Sequence, residues 1–121
     1  MSEERKRQDL KARTKKFALM VVRLYVALPK TTEAQVLGRQ LLRSGTSVGA
    51  QYRESFRAKS DADMISKMEG MLQELDESQY WIELLEEAPI ITRAQAKPIH
   101  DEAGELIAIF VTIVERLKGL G

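Results

Sequence analysis

The sequence predicts an all-α protein, an antiparallel up-down-up-down four-helix bundle that uses residues 1–121 as one domain. Three observations carry that expectation. Apolar residues recur at helical spacing in four segments of similar length, the connections between them are short, and no alternating strand pattern competes.

The first helix is expected from about Arg7 to Leu28, where Phe17, Val21, Leu24 and Leu28 share a face and Pro29 stops the run. Ahead of it, residues 1–8 form a basic segment, either a flexible arm or a solvated helix start. Thr32 with Gln35 three residues on reads as a capping box, opening a second helix to about Ala58. The glycine and β-branched run at 45–49 is its weak point, where a kink is expected. Ser60 caps a third helix reaching about Glu87, with Ile65, Met68, Leu72, Leu75 and Ile82 inward. Thr92 and Gln95 repeat the capping box before a fourth helix that reaches Lys118 and ends at Gly119 and Gly121. Pro98 lies too deep for a comfortable first turn, so a bend or a short separate turn is expected there. Helices of roughly 22–27 residues make rods of about 33–40 Å, well matched for packing along their length.

Composition narrows the function classes. At 121 residues the chain suits one core rather than two domains. The absence of cysteine excludes disulfides and thiolate metal sites and fits a cytoplasmic protein. No apolar run approaches the roughly 18–20 residues of a membrane span; the run at 106–114 is bounded by Glu105 and Glu115. No apolar signal core precedes Phe17. The net charge of +1 conceals a division, because residues 1–60 hold fourteen Lys/Arg against five Asp/Glu, and residues 61–121 hold five against thirteen. Such asymmetry points to an interaction surface, or to charges satisfied between helices or subunits.

The segment GRQLLRSGTSVGAQYRESFR, residues 38–57, carries three faces on one helix. With Arg39 as origin, Arg43, Arg53 and Arg57 fall within about 40° of it, while Leu37, Leu41, Val48 and Tyr52 cluster near about 160–220°. Gly38, Gly45 and Gly49 stack near about 240–280°, where missing Cβ atoms admit another backbone. A basic stripe, a core seam and a glycine groove suit docking rather than chemistry.

LLRSGTSVGAQYRE together with SDADMISKMEGMLQELDESQYWIELL resembles the four-helix-bundle proteins encoded by intervening sequences in bacterial 23S rRNA genes. The resemblance covers roughly residues 17–117 and is densest at 42–54 and 80–85; Gln51 departs from it, since the family more often has asparagine there. It implies a left-handed up-down bundle, assembly as a homopentamer and a link to RNA. A looser similarity to the accessory proteins of diversity-generating retroelements implies contact with a reverse transcriptase and its RNA. Neither relative is an established enzyme.

The candidate nucleic-acid contacts are Arg39, Arg43, Arg53, Arg57 and Lys59, with Lys11 and Lys15 of the N-terminal segment. Pairing with Glu74, Asp76, Glu77 or Glu83 of the acidic third helix, or with a neighbouring subunit, is the structural alternative, most of all for Arg43 beside the small-residue run. Aromatic interleaving is poor, so phosphate and shape rather than base sequence would be read. Tyr80, expected outward, and Trp81, expected at a flank, join Gly45 and Gly49 as candidate oligomer contacts.

Signals for catalysis and metal are thin. Carboxylate di-metal bundles need Glu-x-x-His on facing helices, and the only histidine, His100, has no acid three residues before it. Arg93 and His100 match the Arg-x(4–6)-His spacing of helical-bundle ribonucleases, but that spacing is nonspecific and Pro98 intervenes. The expectation is a cytoplasmic, non-enzymatic homo-oligomer, a pentamer by resemblance, that binds rRNA or a ribonucleoprotein. No cofactor, metal, membrane or small-molecule substrate is expected. The competing class is an interaction scaffold or reverse-transcriptase accessory subunit whose charges serve subunit packing.

Overall fold

Four capping side chains set where the helices begin. The computed structural model describes residues 2–119 and contains α1 (Glu3–Ala27), α2 (Thr32–Ser55), α3 (Asp61–Glu87) and α4 (Arg93–Leu117). Ser2, Thr31, Ser60 and Thr92 each accept a hydrogen bond from the backbone N–H three residues on, satisfying one orphan donor per helix. Thr92 completes a capping box, its own N–H donating to Gln95 Oε1 at 2.9 Å.

Three local expectations need correction. α1 starts at Glu3 rather than near Arg7, so the basic segment is already helical there; Ser2 and the first-turn acids Glu3 and Glu4 support it without an apolar face. The cap of α2 is Thr31, not Thr32. Gln35 closes no box there; it donates to the Pro29 carbonyl at 2.9 Å and accepts from the Tyr25 hydroxyl at 3.1 Å, tying α2 to α1. α4 continues through Pro98 without a separate turn. Pro98 is exposed, as is Ala94, whose carbonyl loses its helical donor and faces water, while buried Ala96 and Ile99 anchor the turn. Gly119 sits at φ 76, the left-handed conformation expected after a helix; Gly121 lies outside the described residues. α2 runs through its glycines as one helix.

Side-chain partners set the register. Gly38 lies against Tyr25, Gly45 against Val21 and Gly49 against Thr14, so numbers fall along α1 as they rise along α2. Ser44 meets Ser78 and Glu54 meets Lys67 between α2 and α3; His100 meets Glu83 and Lys118 meets Glu69 between α3 and α4. Consecutive helices therefore pair in opposite order.

Each helix buries a stripe stepping by three and four residues. In α3 it is Met68, Met71, Leu75, Ser78, Ile82 and Leu85, whereas Ile65 and Leu72, expected inward, are half-buried on its flank. In α2 it is Ala34, Gly38, Leu41, Gly45, Val48, Tyr52 and Ser55, with Leu37 displaced to the edge. Phe17, Val21, Leu106 and Phe110 complete the centre. The buried hydroxyls of Ser44 and Ser78 meet at 2.8 Å, each within reach of a carbonyl of its own helix. That contact satisfies both polar groups where two helices approach closely.

Tyr52 carries a testable consequence. It is 2% exposed, its ring packs edge-on to Phe56 and tilted on Phe110, and its hydroxyl donates to the Arg7 carbonyl at 3.4 Å. Burial pushes the phenol up to about 12, only partly opposed by the Arg7 charge. Its ionisation is thus harder in the folded chain, so the associated stability is intact below the ordinary value near 10 and lost as pH rises through about 12. Ultraviolet titration should place one phenolate step near pH 12 that Tyr52→Phe removes. A Tyr52 step near pH 10 in the folded chain would contradict the burial.

Candidate interaction surface

The basic face is assembled from two neighbouring helices. Between Leu10 and Leu28, and again between Ala34 and Arg53, the sequence contains no Asp or Glu. Packing α1 beside α2 merges these stretches into one surface. Arg39, Arg53, Arg57 and Lys15 are exposed on it and Lys11 is half-buried. Among the described residues none of these five forms an ion pair. Lys59 stands exposed in the α2–α3 connection, its backbone N–H donating to Asp63 at 3.1 Å.

Arg43 is different. Its guanidinium lies 3.2 Å from Glu74 and 2.9 Å from Glu77, clamping α2 to α3. Glu74 is 8% exposed, and its charge is the main influence raising the affinity of Arg43 for its proton. Of the four stripe arginines this one is occupied internally. A second clamp escaped the sequence reading. Arg13 donates through Nε and Nη2 to the two oxygens of Glu102 at 2.7 and 2.8 Å and lies 3.3 Å from Glu105, joining α1 to α4. The bond to Glu102 holds the guanidinium even more firmly in its charged form. No local signal could have revealed a pair 89 positions apart.

Gly45 and Gly49 do not present a groove to another copy. A Cβ on Gly45 would meet Val21 at 2.7 Å and one on Gly49 would meet Thr14 at 3.3 Å, so α1 of the same chain fills the space. The face assignment holds, but the neighbour is intramolecular because α1 and α2 have room to approach where side chains are missing. Tyr80 is 53% exposed, as expected, and contacts the half-buried Trp81 ring edge-on at 5.1 Å. The indole Nε1 is buried without a partner among the described residues.

Arg93 and His100 come together in a cleft of about 340 Å³ between the end of α3 and the start of α4. Carboxylates dominate it. His100 Nε2 lies 2.8 Å from Glu83, Arg93 lies 3.7 Å from Glu86, and Glu87 and Asp101 add further acid. Lys97, bonded to Asp101 at 2.8 Å, lowers the proton affinity of that carboxyl. A phosphate entering here would face four carboxylates beside the arginine, the histidine and Lys97. Among the described residues no three His, Asp or Glu side chains converge as metal ligands, and no helix is long and apolar enough to cross a membrane.

A family model for 23S rRNA-intervening sequence proteins matches residues 6–112. Among solved structures, a protein of unknown function from the S23 ribosomal protein family of Bacteroides thetaiotaomicron is 38% identical, with a TM-score of 0.82, over 87% of this chain and 97% of that one. No curated protein matches the chain.

Proposed function

The chain belongs to the 23S rRNA-intervening sequence protein family, and from that membership we propose a non-enzymatic, self-associating bundle that binds RNA or an RNA–protein assembly through α1 and α2. One observation carries the reading. Two acid-free helical stretches lie side by side, and their exposed cations Arg39, Arg53 and Lys15, with Arg57 just past the end of α2, have no carboxylate partner among the described residues. Backbone phosphates are the ligand such an array suits, and the family name directs attention to ribosomal RNA. Tyr52 is buried, Phe56 lies beneath the Arg7 guanidinium and exposed Tyr80 stands on the acidic α3, so the basic face has no free stacking platform and recognition is of phosphate and shape.

Self-association follows from the opposite side. Exposed Tyr80 beside the half-buried Trp81 on α3 is an apolar anchor for the next copy, and it leaves the α1–α2 cations uncovered. A head-to-tail contact closes into a ring when the rotation between copies is a whole fraction of a turn, and the family resemblance implies five subunits. A left-handed up-down coil in each subunit accords with buried stripes that repeat every 3.5 residues. A cytoplasmic setting completes the proposal.

Structured rRNA fragments should shift in a gel at low salt, and affinity should fall by orders of magnitude between about 50 and about 200 mM salt. No shift, or one insensitive to salt, would overturn the RNA reading. It would leave the interaction scaffold or reverse-transcriptase accessory subunit, which the internal clamps of Arg13 and Arg43 favour. RNA turnover abolished by His100→Ala would instead establish a nuclease. Sedimentation equilibrium should give a closed oligomer; a monomer at tens of micromolar is incompatible with the proposed assembly.

A further inference from the structure

Where α1 begins and α4 ends, the seam between them opens as a groove of about 690 Å³. The opening exists because α1 and α4 are the least engaged neighbours in the bundle. Buried Tyr52 and Met68 line it with Leu10, Phe56, Ile113 and Leu117, so the groove reaches the core rather than skimming the surface. The size is that of a small-molecule site between bundle helices, typically about 300–1,000 Å³.

Its polar inventory restricts what can bind. Two hydroxyls line the groove and both already donate internally, Tyr52 to the Arg7 carbonyl at 3.4 Å and Thr112 to the Ala108 carbonyl at 3.0 Å. With both hydroxyl protons committed, the groove interior offers no side-chain donor and only two hydroxyl acceptors, so the inserted part of a ligand is predominantly apolar. Polar freedom remains only on the charged rim. Glu3 and Lys6 neutralise each other at 3.6 Å. Arg7 and Arg116 have no carboxylate partner among the described residues, against one unpaired acid, Asp9. Arg7 is held in place over the Phe56 ring, 5.6 Å from its centroid, at the edge of the apolar wall. A guanidinium fork beside an apolar slot matches a planar anionic head on an apolar tail.

We propose that this groove binds a single-chain carboxylate amphiphile as a ligand, its chain against Leu10, Phe56 and Ile113 and its head between Arg7 and Arg116. The inference is independent of RNA binding, which uses the outer face of α1 and α2. Displacement of cis-parinaric acid from the full chain by dodecanoate, below the concentration at which it forms micelles, tests it. Binding should be saturable at one site per chain. Thr112→Trp, which fills the groove from an exposed position, should weaken it at least tenfold with helicity unchanged. Arg116→Gln should weaken it about tenfold, as should replacing dodecanoate by dodecanol, the scale of one hydrogen bond to a charged group. Arg116 is also exposed, so its variant and the alcohol comparison decide the matter even if the tryptophan unfolds the bundle. Absent saturation, indifference to both substitutions, or equal affinity for acid and alcohol would overturn the proposal. So would an oligomer that falls apart on Thr112→Trp, because a second copy would then be the occupant.

Discussion

Gly45→Leu is expected to cost the fold about 2–3 kcal/mol, even though replacing a mid-helix glycine normally gains up to about 1 kcal/mol of helix propensity. The sign is decided by Val21. A Cβ at position 45 would stand 2.7 Å from one Val21 methyl, 3.0 Å from the other and 3.2 Å from the branch carbon, so rotating the valine relieves nothing. Val21 is fully buried, and α1 itself must move away. For a chain of this length the loss should appear as a drop in thermal midpoint on the order of 10 °C. Val21→Ala in the same background should restore part of it, a coupling that double-mutant analysis reads directly. Gly104→Ala provides the contrast. Its Cβ would meet only the Gln79 amide at an ordinary 3.4 Å, so the variant should gain up to about 1 kcal/mol. If Gly45→Leu melts at or above the parent temperature, the close approach of α1 and α2 is wrong.

Replacing Arg53 and Arg57 together by Gln should leave helicity and melting within experimental error while RNA affinity falls. The salt dependence should become shallower by about 0.7–0.9 units of slope for each phosphate contact removed. Both side chains are exposed and neither forms an ion pair among the described residues, so the fold has little to lose. Arg43→Gln should behave in the opposite way. It leaves Glu74 mostly buried without its counter-charge, and after discounting for a guanidinium half in solvent the cost is about 1 kcal/mol. A double variant that unfolds, beside an Arg43 variant that loses only RNA, would reverse the division of the stripe.

Much of the bundle was legible in the chain. Caps at Ser60 and Thr92, the stop at Pro29 and the apolar spacing of each segment are local signals, and local backbone chemistry acts on them directly. Errors arose where a longer-range partner outbid the local one. Gln35 looked like half of a capping box, yet it bonds Tyr25 and Pro29 instead. Pro98 looked like a break, but core anchors at Ala96 and Ile99 carry the helix through it. In α3, Met68, Leu75 and Ile82 are inward as expected, but Met71 and Leu85 take the places expected of Ile65 and Leu72, because every candidate is apolar and only packing between α2 and α4 chooses among them.

By itself, then, the sequence determined four amphipathic helices, their order, the basic and acidic halves and a glycine stripe, since all of these are properties of residues a few positions apart. Tertiary structure alone decided which charges are free. Arg39 and Arg43 share one face of α2, but only Arg43 meets Glu74 and Glu77, through a register between positions more than thirty residues apart. It also decided that α1 fills the glycine groove, that Glu102 occupies Arg13, and that an apolar slot remains between α1 and α4. The physical reason is common to all four: hydrogen bonds, ion pairs and van der Waals contacts act over a few ångströms, and only the packed register says which distant side chains come that close.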